Sequence, residues 1–60
     1  MNIGDLIRVR HHSTKKNGKI GLFVRKEQHP GFRDKHIIKF PDGDGLSLTI
    51  EQCEVINEYR

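Results

Sequence analysis

The chain of 60 residues can form one domain, over residues 1–60, and its single Cys excludes an internal disulfide. Seven Ile, three Val and two Thr, without any Ala or Trp, favour strands, and the absence of an apolar run longer than three residues excludes a membrane span. The net charge is +3, but residues 1–39 carry ten Lys or Arg against three acids, and residues 40–60 carry one Arg against five acids. This asymmetry indicates an anionic partner for one surface, or a fold that interleaves the two segments.

Two stretches near the start alternate apolar and polar side chains, which is typical of half-buried strands. Residues 6–10 predict the first strand and residues 19–26 predict the second. In the second strand we expect the three aliphatic side chains to face the core and Phe23 to lie on the opposite face. Gly21 within this strand predicts a bulge or a close approach of another backbone. The polar residues 11–18 predict an exposed basic loop between the two strands.

The second half of the chain predicts three more strands joined by short turns. Residues 35–40 predict the third strand, and the sequence PDGDG then predicts a tight hairpin to a fourth strand at residues 46–48. Residues 49–52 match a capping box but are too few for a helix, so one helical turn is expected before a last strand at residues 53–56. Residues 57–60 are expected to fray. The predicted core consists of Ile7, Val9, Ile20, Leu22, Val24, Ile38, Phe40, Leu46, Leu48 and Val55.

Two segments resemble the KOW motif of ribosomal proteins and transcription elongation factors. They are residues 4–9, GDLIRV, and residues 18–24, GKIGLFV. In the second half, residues 36–43 and 50–56 are similar to the closing hairpin, short turn and last strand of SH3-like barrels. The resemblance implies an all-β fold, a small five-stranded SH3-like barrel with one short helical turn before the last strand. Because that scaffold hosts unrelated functions, the resemblance alone implies no particular activity.

Basic side chains in and around two predicted loops are candidates for contacts with the phosphate backbone of RNA or DNA. If both loops emerge on the same side of the barrel, their cations converge on one phosphate track, and an exposed Phe32 stacks on an unpaired base. The alternative is a pair of solvated loops with Phe32 folded over the mouth of the barrel. The candidate nucleic-acid-binding residues are Lys15, Lys16, Lys19, Arg25, Lys26, Phe32, Arg33 and Lys35.

A second hypothesis is an accessory or regulatory subunit that docks on a larger protein assembly. The alternation in the second strand turns Phe23 outward, and with Ile37 it would form an apolar patch of the kind that marks a partner site. The alternative is that the bent sheet packs both of its faces, with Phe23 in a small second cluster.

The sequence offers little support for catalysis or for a bound metal. The four His residues lack the paired spacing of a zinc site, and Cys53 is expected to pack as a small apolar residue. No Ser-His-Asp arrangement is recognisable, and a barrel of this size leaves little volume for a substrate. We therefore expect a non-enzymatic binding module, located in the cytoplasm, with no cofactor, metal, small-molecule substrate or membrane partner.

Overall fold

The computed structural model describes residues 1–56, which form five strands and one turn of 3-10 helix. The predicted strands and the predicted turn are confirmed, and their ends differ from the prediction by one residue at most. Residues 57–60, for which fraying is predicted, lie outside the described residues. Within residues 1–56 no helix has the length and apolar character needed to cross a membrane. The elements are β1 (Leu6–Val9), β2 (Ile20–Glu27), β3 (Lys35–Lys39), β4 (Gly45–Leu48), the 3-10 turn (Ile50–Gln52) and β5 (Cys53–Ile56).

The five strands form one antiparallel sheet in the order β4-β3-β2-β1-β5. Each strand from β1 to β4 lies beside the next one in the chain. The last strand, β5, does not lie beside β4 but pairs with β1, where Leu6 lies opposite Ile56. The strands β4 and β5 are the two edges, so the sheet formed by the described residues is not closed. The fold is therefore all-β, antiparallel and compatible with a small barrel-like architecture.

The core lies on one face of this sheet. Ile7, Ile38 and Leu48 are 0% exposed, although the described residues contain no second layer that would cover them. A single sheet buries side chains so completely only when it curves around them, so this is its concave face. The buried cluster consists of Ile7, Val9, Phe23, Ile38, Phe40 and Leu48, with Leu46 and Cys53 partly buried against it.

The predicted orientation of β2 is wrong. Ile20 and Leu22 are 42% and 45% exposed and Val24 is half-buried, whereas Gly21 and Phe23 face the core. Both faces of β2 are apolar, but the side chains on them differ in size. Ile20 and Leu22 lie on the outer face, and Gly21 and Phe23 lie on the core face. The large Phe23 ring fills the core, and Gly21 leaves room there for side chains of β3.

The interpretation of Gly21 as a point of close approach is confirmed. A Cβ atom at this position would lie 2.6 Å from the carbonyl oxygen of Lys39 and 2.7 Å from Cγ2 of Ile38. The pairing of β2 with β3 shifts by one position between Phe23 and Arg25, so β2 also contains a bulge there. The bulge and the close approach are thus separate features of the same strand.

On the edge strands, the core prediction is wrong for Val55 and met in part for Leu46. Val55 on β5 is 41% exposed, and Leu46 on β4 is only partly buried. The edge position alone does not explain the difference, because Leu48 on the same edge strand β4 is 0% exposed.

Candidate nucleic-acid and protein-binding surfaces

The two basic loops leave β2 at its opposite ends. The β1–β2 loop ends where β2 begins at Ile20, and the β2–β3 loop starts after Glu27. At about 3.3 Å per residue, this strand separates the two loops by roughly 20 Å. The condition for a single phosphate track, that both loops emerge on the same side, is therefore not met.

Four basic residues lie in the β1–β2 loop, which ends at the start of β2. The backbone N–H of Val9 donates a hydrogen bond of 2.9 Å to the carbonyl oxygen of Lys19, which places Arg10 beside the end of the loop. Lys15 and Lys16 lie within the same loop. We call Arg10, Lys15, Lys16 and Lys19 the basic cluster.

One member of the basic cluster, Lys16, is held by the β3–β4 turn. Its Nζ lies 2.9 Å from Asp42 Oδ2, 2.8 Å from Asp44 Oδ2 and 5.0 Å from the centroid of the Phe40 ring. Hydrogen bonds to Asp44 and then Asp42 raise the pKa of Lys16. The pKa of Asp42 is lowered, first by the backbone N–H of Asp44 and then by Lys16. Lys16 therefore fixes the loop to the turn, and its charge is already neutralised.

The other three members of the basic cluster differ from Lys16 in their surroundings. Arg10, Lys15 and Lys19 are exposed and form no ion pair with any acid of residues 1–56. Their charges are available to an external anion.

The basic side chains near the far end of β2 are mostly paired with acids. The hydrogen bond that Arg25 donates to Glu27 lowers the pKa of that carboxyl group. The pKa of Glu51 is lowered by its own backbone N–H and then by Arg33. Lys35 is half-buried at the start of β3, opposite Glu27 in the sheet register. The ion pairs are Arg25 with Glu27, Lys26 with Asp34 and Arg33 with Glu51.

Phe32 lies in the β2–β3 loop and is 78% exposed. Its ring is therefore available for stacking and is not folded into the core. It lies next to Arg33, which is bound to Glu51, and not beside the basic cluster. The exposed ring and the unpaired cations thus occur at opposite ends of β2.

The predicted outward patch of Phe23 and Ile37 is not formed. Phe23 is 4% exposed, and its ring centroid lies 5.5 Å from that of His36 on the core face. Ile37 is half-buried on the other face, opposite Arg25. The prediction for Phe23 is wrong for the same reason as the predicted orientation of β2. The alternation places Phe23 on the convex face, which Ile20 and Leu22 occupy in the structure.

An apolar surface does exist on the convex face, but other residues form it. Leu6 and Leu22 are partners across β1 and β2, and Ile20 follows on the same face of β2. With Pro41 and Lys39 these three side chains line a shallow groove, which we call the outer groove. The sequence contained a signal for it. Residues 20–24 are non-polar at every position, so β2 must present apolar atoms on whichever face is not in the core.

His36 and Cys53 pack on the core side of the sheet. His36 is 7% exposed on the core face, and its Nδ1 lies 3.4 Å from the carbonyl oxygen of Leu48. Cys53 is half-buried against the core, and burial raises the pKa of its thiol. In the part of the chain from residue 1 to 56, no three His, Cys, Asp or Glu side chains are grouped to hold a metal ion.

Comparison with known proteins assigns no family to the chain. No protein-family model matches it, and no curated protein matches it either. The function of this chain must therefore be inferred from the surfaces of its own structure.

Proposed function

We propose that this protein is a non-enzymatic binding module whose basic cluster contacts the phosphate backbone of RNA or DNA. The observation that supports this function is the excess of free cations at the start of β2. Both acids of the adjoining turn are bound to Lys16, and Arg10, Lys15 and Lys19 have no acidic partner there. Each cation that neutralises a phosphate releases a counterion, so such a cluster binds a polyanion most strongly at low salt.

We also propose that the fold is an SH3-like barrel of the KOW type. The strand order, in which β1 lies between β2 and β5, supports this proposal, as does the resemblance of residues 4–9 and 18–24 to the KOW motif. In this proposal, residues 1–60 are one domain that acts in the cytoplasm. A reducing compartment suits a chain whose single Cys cannot form an internal disulfide.

The nucleic-acid function is tested by removing the three free cations together. The variant Arg10→Gln, Lys15→Gln, Lys19→Gln is titrated with a fluorescently labelled single-stranded RNA at several salt concentrations. For the wild type, we expect the affinity to fall steeply as salt increases. For the variant, we expect the slope of log affinity against log salt to decrease by about two, since each lost phosphate contact contributes roughly 0.7 on a single strand. Preference among RNA sequences should not change.

A matched control removes the same charge from the other end of β2. The variant Arg25→Gln, Arg33→Gln, Lys35→Gln loses three cations, two of which are paired with acids. Its salt dependence should remain that of the wild type. Equal losses in both variants would show attraction by net charge alone and contradict a site at the basic cluster. Failure of the wild type to bind RNA or DNA even at low salt would contradict the function itself.

A second candidate function is docking as an accessory or regulatory subunit on a larger protein assembly. The outer groove favours it, because Leu6, Ile20 and Leu22 form a contiguous aliphatic surface whose side chains are 42–45% exposed. Strands that are apolar on both faces usually lie between two packed layers. Within residues 1–56 nothing packs as a layer on the convex face, so a partner protein supplies that layer in this proposal.

A further inference from the structure

We propose that the outer groove binds an acidic segment of a partner protein, with apolar side chains of that segment inserted between Leu6, Ile20 and Leu22. The inference rests on the second proposed function, docking on a protein, and specifies the chemistry of the partner.

The floor of the groove selects apolar side chains. Leu6, Ile20, Leu22 and Pro41 supply aliphatic atoms on a convex strand pair. The aromatic ring that lines the groove belongs to Phe40, which is 6% exposed and already packed in the core. A nucleic-acid base needs an open ring face for stacking, and this groove does not offer one. Leu, Ile, Met or Phe side chains fit such a floor.

The charges beside the groove select an acidic partner. Lys39 is the charged residue that lines the outer groove. Its Nζ lies 3.5 Å from the carbonyl oxygen of Gly43 and forms no ion pair with an acid of residues 1–56. Arg8 lies opposite Ile20 on the same face. Its contact with Glu54 is 3.5 Å long, and both side chains remain more than 40% exposed.

The nearby acids offset these cations only in part. Asp42 and Asp44, in the turn that follows Pro41, share one cation, Lys16, so one negative charge remains in that turn. The groove also begins at Ile20, directly after Lys19 of the basic cluster. An Asp or Glu of the partner therefore meets an excess of positive charge, and complementary charges of this kind select a partner and speed its association.

A short segment fits better than a second copy of this chain. Two copies packed face to face would bring Lys39 and Arg8 of both copies into one interface, between chains that each carry a net charge of +3. A stable interface between folded proteins also buries roughly 800 Å² on each side, which is more than three half-exposed side chains provide. Peptide segments that insert a few apolar anchors into a groove need less area.

A peptide selection tests the proposal. A random library of 12-residue peptides displayed on phage is selected on the immobilised wild-type protein, after removal of binders to Leu22→Ser. We expect the enriched peptides to combine Leu, Ile, Met or Phe with Asp or Glu. An enriched peptide, made synthetically, should bind Leu22→Ser and Lys39→Glu at least about tenfold more weakly than the wild type. Ile50→Ser and Lys35→Glu, matched changes outside the groove, should leave its affinity unchanged.

The opposite results each overturn the inference in a recognisable way. Enriched peptides that are apolar without acidic bias would contradict the acidic partner and leave protein docking intact. Equal recovery of phage on the wild type and on Leu22→Ser would contradict docking at this face altogether. A wild-type dimer that Leu22→Ser dissociates would identify a second copy as the occupant, and RNA-induced shifts of the Leu6 and Leu22 methyl resonances would identify nucleic acid. Ile20→Ser, at an equally exposed position, replaces Leu22→Ser if the latter does not fold.

Discussion

Gly21 is the residue at which the sheet tolerates least change. Its backbone is not in the left-handed region, so the requirement for glycine comes from space alone. A methyl group would meet the carbonyl oxygen of Lys39 at 2.6 Å, and that atom belongs to the backbone of the adjacent strand. We expect Gly21→Ala to lower the free energy of unfolding by about 1–3 kcal/mol or more, as overpacking does. Urea denaturation followed by circular dichroism measures the change.

Gly45 provides the matched control for this substitution. It also lies in a strand without a left-handed backbone, but a Cβ there would contact its nearest neighbours at an ordinary 3.6 Å. Gly45→Ala should therefore be tolerated with little change in stability. If both alanine variants unfold at the wild-type urea concentration, the close approach at Gly21 is not a constraint.

At the scale of the strands, the orientation of β2 is tested by comparing it with β3. Ile38 is fully buried and Leu22 is 45% exposed, although the sequence pattern assigned both to the core. Ile38→Ala should cost about 2–5 kcal/mol, as truncations in a packed core do, which is enough to unfold a domain this small. Leu22→Ala should cost much less, because few buried contacts are lost. Equal losses in urea denaturation would restore the predicted orientation of β2.

The position of every strand could be predicted from the sequence, and the orientation of β2 could not. Period-two alternation and the PDGDG turn locate the strands within one residue, because both are local properties of the chain. Residues 20–24 are non-polar on both faces, so alternation cannot decide which face is buried. That decision depends on the close packing of β3 at Gly21 and on the bulge near Val24. Both are tertiary features.

The ion pairs were equally inaccessible to sequence reasoning. In the sequence, Lys16 precedes Asp42 by more than twenty positions, and Arg33 also lies well before Glu51. The basic and the acidic residues therefore occupy different segments of the chain. The sheet folds them together. Of the eight candidate nucleic-acid-binding residues, Lys15 and Lys19 form no ion pair with an acid of residues 1–56. The paired ones are Lys16, Arg25, Lys26 and Arg33.

For the whole molecule, the ion pairs of Glu27, Asp42 and Glu51 predict that the free energy of unfolding decreases in acid. The pKa values of Glu27, Asp42 and Glu51 are lowered from ordinary values of 4.5, 3.8 and 4.5. A carboxyl with a lowered folded-state pKa stabilises the fold above its ordinary pKa and loses this contribution as pH falls through the folded-state value. The melting temperature should thus be nearly constant from pH 7 to about 5 and fall below about pH 4.5. Thermal unfolding followed by circular dichroism at stepped pH measures this.

The variant Asp42→Asn isolates one of these contributions. It keeps the size of the side chain but removes the charge that Lys16 and the N–H of Asp44 stabilise. Its melting temperature at pH 7 should be lower than that of the wild type, and its decline in acid should be shallower. An acid profile identical in shape to that of the wild type would show that this carboxylate does not contribute.

The pairing of β1 with β5 also determines how the chain can fold. Strands β1 to β4 follow one another as hairpins, whereas Leu6 reaches Ile56 across most of the sequence. The entropy of closing so long a loop places this pairing late in folding. Until β5 arrives, one side of β1 exposes unpaired N–H and C=O groups that can template a strand from another chain. The final step of folding therefore competes with intermolecular association, and refolding yield should fall as the protein concentration rises.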